Sequence, residues 1–138
     1  MLKPKALRPG DRLAIVAPAS GFDRSDFEHG LAELRALGFD PVYDERVFDR
    51  LGYVAGEASK RAEAFRRAWL DPDVAGLVGA RGGYGSVQLL PWLTPTELQQ
   101  SPKVFLGYSD LTSLLVYLTT GCGVVGFHGP TVVGPLSK

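Results

Sequence analysis

Leu13-Ala-Ile-Val-Ala-Pro-Ala19, then Phe27, Leu31, Leu34 and Leu37 with a stop at Gly38, decides the architecture. The first run is apolar throughout and of strand length, as in a strand buried on both faces. The second set recurs at the three- and four-residue spacing of one helical face, and Gly38 supplies a left-handed C-terminal stop. The same alternation continues outward. Pro41-Val-Tyr-Asp-Glu45 reads as a second strand, and Ala58, Ala62, Phe65 and Trp69 share one face of a helix ending before Asp71-Pro72. Ala75-Gly-Leu-Val-Gly-Ala80 is a third strand that runs into Arg81-Gly-Gly-Tyr-Gly-Ser86, with a short helix over Val87–Trp92. Lys103-Val-Phe-Leu-Gly107 is a fourth strand; Leu111, Leu114, Leu115 and Leu118 mark a further helix, and Gly123-Val-Val-Gly-Phe127 a fifth strand. Arg46–Gly56 has no period and reads as a loop. Strand–helix alternation of this kind predicts an α/β fold: a mostly parallel sheet with helices on both faces, three-layered and Rossmann- or flavodoxin-like.

At 138 residues the chain suits one domain. Fifteen Lys plus Arg balance fifteen Asp plus Glu, so no net positive field draws it to nucleic acid or to an anionic membrane surface. Hydrophobic residues at 45% and charged residues at 22% exclude a disordered chain. The single cysteine, Cys122, forms no internal disulfide, and one Cys with two His makes no zinc cluster. The basic start at Lys3, Lys5 and Arg8 imitates a secretory leader, but Leu13–Ala17 is shorter than the roughly 7–15 apolar residues such a leader uses. No run approaches the roughly 20 residues of a membrane span. The expectation is a cytoplasmic protein.

Ligands of open parallel sheets bind beyond the carboxyl ends of the strands, where helix N-termini and unpaired N–H groups converge. Pro18-Ala-Ser-Gly21, Arg81–Ser86, Tyr108-Ser-Asp110 and His128-Gly-Pro130 occupy such positions. In Gly107-Tyr-Ser-Asp110 an apolar strand passes straight into an apolar-faced helix, the context of a nucleophile elbow. Such a turn lifts the Ser109 hydroxyl from the sheet and lets the N–H of Asp110 face a developing oxyanion. The usual second Gly of that motif is Leu111 here, and on local features alone Ser109 reads first as a helix cap, Ser being a favoured N-cap residue. Gly82, Gly83 and Gly85 let the backbone approach a ligand and turn N–H groups toward negative charge, or serve a sharp turn required by packing. Arg81 suits a carboxylate or an exposed surface equally. Neither a dinucleotide fingerprint nor a Walker loop is present, so a nucleotide-linked enzyme has little motif support. His128 ends a strand and suits a base, a binding group or a structural hydrogen bond. His29 lies among polar residues and faces solvent, and Cys122 between two glycines reads as structural.

Leu-Arg-Pro-Gly-Asp-Arg-Leu-Ala-Ile-Val-Ala-Pro-Ala-Ser over 7–20, Ala-Arg-Gly-Gly-Tyr-Gly over 80–85, Phe-Leu-Gly-Tyr-Ser-Asp-Leu-Thr over 105–112 and Phe-His-Gly-Pro over 127–130 occur in this order. Together they resemble the N-terminal domain of the LD-carboxypeptidases, the serine peptidases that include murein tetrapeptide carboxypeptidases and microcin-immunity enzymes. The resemblance implies metal- and cofactor-free hydrolysis of the amide between an L-centre, usually of diaminopimelate, and a terminal D-Ala in murein peptides. It implies Ser109 as nucleophile and the N–H groups of Asp110 and Gly83, with Gly82 as alternative donor, as the oxyanion hole. Arg81, Tyr84, Ser20 and His128 are implied, less directly, as substrate-binding.

In that family the Glu and His partners of the serine belong to a C-terminal domain. Residues 1–130 then form the nucleophile-bearing domain and 131–138 the start of a linker to that second domain. The resemblance further implies a chain that is inactive, or nearly so, by itself, with a homodimer for the whole enzyme. A binding module for an anionic small molecule or peptide carboxylate is the alternative.

Overall fold

The computed structural model describes residues 1–138. Its sheet has five parallel strands in the order β2-β1-β3-β4-β5: β1 Arg12–Val16, β2 Asp40–Val42, β3 Gly76–Gly79, β4 Val104–Gly107 and β5 Phe127–His128. Because successive strand side chains alternate between faces, each central strand feeds two cores. Leu13 and Ile15 of β1 and Val78 of β3 pack with Phe27, Leu31 and Leu34 of α1 (Arg24–Ala36). Ala14, Val16, Leu77 and Phe105 pack on the other face with Ala62, Phe65 and Trp69 of α2 (Ala58–Leu70) and with Leu114. This is the three-layer α/β arrangement the sequence predicts, in flavodoxin-like strand order.

Local chemistry sets the element ends. Asp23 caps α1 by accepting from the Ser25 N–H at 2.8 Å, and Asp44 caps a 3₁₀ turn over Glu45–Phe48 by accepting from Arg46 N at 2.9 Å. That turn ends the second strand early and orders the start of the segment expected to be a loop.

Other expectations shift. The fifth strand is Phe127–His128, not Gly123–Phe127. The Gly123 carbonyl accepts from Leu2 N at 2.7 Å and Val125 N donates back to Leu2 at 3.0 Å, so the N-terminus takes the pairing that β4 would have made. The turn over Ser86–Trp92 is 3₁₀ rather than α, with Pro91 inside it, and a short unexpected helix, α3, covers Pro95–Gln99. The helix expected through Leu118 is α only over Thr112–Val116, which is α4. It opens into a π turn over Tyr117–Gly121, where Thr119 and Thr120 bond back to the carbonyls of Leu115 and Val116.

The segment after β5 turns back across the sheet ends. Val132 is fully buried, with its N–H on the Gly79 carbonyl at 3.1 Å, and Val133 N reaches Ala80 at 2.8 Å. Gly30 of α1 leaves room for it, since a side chain there would run into the Val132 carbonyl. No helix is long and apolar enough to cross a membrane.

Candidate active site

β4 ends at Gly107 and a 3₁₀ turn over Ser109–Leu111 starts two residues later, leading into α4. At that corner Ser109 takes φ +58°, the only non-glycine residue of the chain with positive φ. A side chain in this left-handed region carries about 1–3 kcal/mol of strain, which persists only where the surroundings impose it. Leu111, fully buried, packs beneath this corner. Its side chain fills the space that side chains at Gly79 and Gly107 would need, a Cβ on Gly107 falling 2.9 Å from Leu111 Cδ1. The Ser109 side chain is solvent-exposed and its hydroxyl has no hydrogen-bond partner within the chain.

The glycine-rich loop lies against this corner. A Cβ on Gly82 would sit 3.4 Å from both Ser109 Oγ and Asp110 N, so glycine leaves open the space that both atoms border. Gly83 has φ +89°, and a side chain there would collide with Ser20 Oγ. The loop is held from below. Ser20, only 1% exposed, accepts from Tyr84 N at 2.9 Å, and its own N–H donates to Gly82 O at 3.2 Å.

A cleft of about 320 Å³ opens here. Ser109, Tyr108, Arg81, Gly82 and Gly83 line it, Asp26 from the first turn of α1 enters from one side, and Thr131, Val133, Gly134, Ser137 and Lys138 wall it. Arg81 donates through Nη1 to the Gly21 carbonyl at 2.6 Å, which orients the guanidinium in the wall.

Of the sequence candidates, the structure therefore brings Ser109, Gly82, Gly83 and Arg81 to one cleft, with Asp110 N beside Gly82. Ser20 is a buried strut for the loop. Tyr84 is exposed and outside the lining. His128 is exposed at the end of β5, its ring edge-on to Tyr108 at 6.3 Å, and His29 is exposed on α1; neither histidine lines the cleft. Cys122 is 1% exposed, and burial pushes its thiol pKa up.

The sequence reading missed Asp26, Ser86 and Arg61. Ser86, fully buried, donates from its N–H to Asp110 Oδ2 at 2.9 Å and from its hydroxyl to Asp110 O at 2.7 Å. Arg61, 5% exposed, donates to Pro18 O at 2.6 Å, Gly56 O at 2.8 Å, Gly85 O at 3.1 Å and to Gln88 Oε1, joining three loops at the carboxyl end of the sheet. Burial lowers the Arg61 pKa, with the Asp110 carboxylate acting in the opposite direction. Its signal was available: Arg61 stands on the Phe65–Trp69 stripe, where a cation on a buried face requires partners. Ser86 and Asp26 carried no local sign.

Residues 13–129 match the family model described as the LD-carboxypeptidase N-terminal domain. The murein tetrapeptide carboxypeptidase of Pseudomonas aeruginosa is 36% identical over 124 residues, covering 89% of this chain and 40% of that protein. The crystal structure of muramoyltetrapeptide carboxypeptidase from Oxalobacter formigenes superposes with a TM-score of 0.82 at 29% identity, over 92% of this chain and 42% of that one. The microcin C7 self-immunity protein MccF, solved with aspartyl sulfamoyl adenosine, gives 0.95 at 26% identity, over 100% and 42%. The chain thus spans less than half the length of the relatives it matches. With the family model matched over residues 13–129 and the fold in common with these structures, this chain belongs to the family of LD-carboxypeptidase N-terminal domains.

Proposed function

We propose that this chain is the nucleophile-bearing part of a serine LD-carboxypeptidase, which hydrolyses the amide between an L-configured centre, usually of diaminopimelate, and a terminal D-Ala of a murein peptide. The observation that carries the reading is the positive φ of Ser109 at the strand-to-helix corner, beside a glycine whose missing side chain leaves space next to both Ser109 Oγ and Asp110 N. Backbone strain at an exposed serine with an unengaged hydroxyl serves no packing purpose, and it does present an attacking oxygen.

In this mechanism Ser109 Oγ attacks the scissile carbonyl carbon, and a base takes the hydroxyl proton. The carbonyl oxygen becomes an anion that accepts from the N–H groups of Asp110 and Gly83, with Gly82 as the alternative donor, and the amine of D-Ala leaves with the proton the base returns. Water then attacks the acyl-enzyme, and the peptide departs with Ser109 restored. Donors fixed before the reaction stabilise the charge without reorganising. Arg81 suits the carboxylate of the departing residue by a charge-assisted pair.

An unassisted serine hydroxyl is a weak nucleophile, and no histidine lines the cleft. The base belongs, by the family pattern, to a Glu–His pair in the C-terminal half of the complete enzyme. The isolated 138-residue chain is then inactive or nearly so. The complete enzyme works in the cytoplasm, where murein peptides are recovered, and pairs as a homodimer.

The test treats this chain and the complete protein with a fluorophosphonate and reads intact mass, alongside D-Ala release from a tetrapeptide. Labelling and release by the complete protein only, both lost with Ser109→Ala, is the expected result. Stoichiometric labelling of the isolated chain would move the base into these residues, with His128 the first to test. Saturable peptide binding that survives Ser109→Ala with no hydrolysis by the complete protein would replace the enzyme by a binding module.

A further inference from the structure

The two oxyanion donors named above lie on separate loops, one after β3 and one after β4, and their mutual placement needs a device. We infer that Ser86 is a positioning residue that locks the Asp110 peptide to the glycine-rich loop, with Arg61 anchoring Ser86 from behind; the inference rests on the reading of Ser109 as nucleophile.

Ser86 grips Asp110 at two points. Its hydroxyl donates to the Asp110 carbonyl at 2.7 Å and its N–H to the Asp110 carboxylate at 2.9 Å. A residue held by both its main-chain oxygen and its side chain has little freedom to rotate its peptide planes, including the one that carries the Asp110 N–H. Ser86 is fully buried, so water cannot substitute for the hydroxyl. Directly before it, Gly85 turns at φ +113° and gives its carbonyl to Arg61 Nη1 at 3.1 Å. Arg61 ties that point to Pro18 and Gly56, and no carboxylate forms a salt bridge with it. Its guanidinium is spent on loop carbonyls and the Gln88 amide, which is the work of a bracket rather than of an ion pair.

A bracket for the oxyanion donors acts on the transition state and not on substrate binding. In the complete enzyme, Ser86→Ala keeps the N–H bond to the carboxylate and removes the hydroxyl bond to the carbonyl. The expected result is a 10- to 100-fold fall in kcat with KM within about twofold. A peptide boronate, which becomes a tetrahedral anion on the serine, is expected to lose affinity by a similar factor while the product peptide keeps its own. Ser86→Cys, nearly isosteric with a weak S–H donor, is expected to lie between wild type and Ala.

Both variants folding with wild-type kcat and boronate affinity would overturn the inference, as would parallel loss of boronate and product binding. Loss of cooperative unfolding in both variants would overturn it in favour of a purely structural role. A wild-type complete enzyme that neither labels with fluorophosphonate nor releases D-Ala removes the parent reading and this one with it. An active wild type with indifferent variants removes this one alone.

Discussion

Leu111 lies against Gly79 so closely that any side chain at residue 79 would overlap its Cδ1 atom. Gly79 is the last residue of β3, and Leu111 closes the turn that carries Ser109. The large residue that replaces the elbow's second glycine is therefore accommodated by two glycines on neighbouring strands, Gly79 and Gly107. Gly79→Ala is expected to cost about 1–3 kcal/mol by overpacking, read from denaturant midpoints at constant m. Combining it with Leu111→Ala should recover part of that cost, since the two residues share one space.

On the proposed reading, Ser109 sets stability against activity. Glycine adopts φ +58° without the side-chain strain that serine bears, so Ser109→Gly is expected to raise stability by about 1 kcal/mol while abolishing fluorophosphonate labelling of the complete enzyme. Ser109→Ala should abolish labelling with no such gain. Equal stability of the Gly variant and wild type would mean that the turn bears no strain.

At Gly83 both the φ of +89° and the proximity of Ser20 oppose a side chain. Gly83→Ala is expected to displace the loop and lower kcat of the complete enzyme about 10²- to 10³-fold, the usual effect of losing one oxyanion donor. Retention of full kcat would assign the second donor to Gly82.

Lys103 is 5% exposed, and its ammonium bonds the carbonyls of Asp71 and Val74 at the turn after α2. Burial holds its pKa below the ordinary lysine value, with Asp71 acting the other way. The unfolded chain then binds more protons between the lowered value and about 10.4, so this group makes stability rise with pH through that window. Lys103→Met should cost about 1–3 kcal/mol for carbonyls left unpaired, and its stability should rise less steeply than wild type over the same window. Identical slopes in a urea titration at several alkaline pH values would reject the shift.

Cys122 is buried, its thiol pKa raised by that burial. It should resist iodoacetamide in the native state and react only as the chain unfolds, as followed by intact mass. Rapid native labelling would contradict that burial.

The parts that the sequence determined by itself are those written in short range. β1, α1, α2, β3 and β4 follow from apolar runs and helical spacing, because burial on one or two faces imposes a period that neighbours along the chain must obey. The corner at Ser109 was legible for the same reason: an apolar strand and an apolar-faced helix separated by only a few residues force a sharp turn between them. The rest depends on partners distant in sequence. Val124 reads as strand but bridges to Leu2, 122 residues away, so β5 begins later. Ser86 reads as the end of a loop, and only folding places it against Asp110. Arg61, on the buried stripe of α2, calls for partners that the sequence does not name, and only folding brings three loops to its guanidinium; the chain past His128 carries no sign that Val132 will be buried beside Gly30. A hydrogen bond between distant residues has no periodicity to announce it, so the tertiary structure alone decided how the two loops of the candidate site are held to one another.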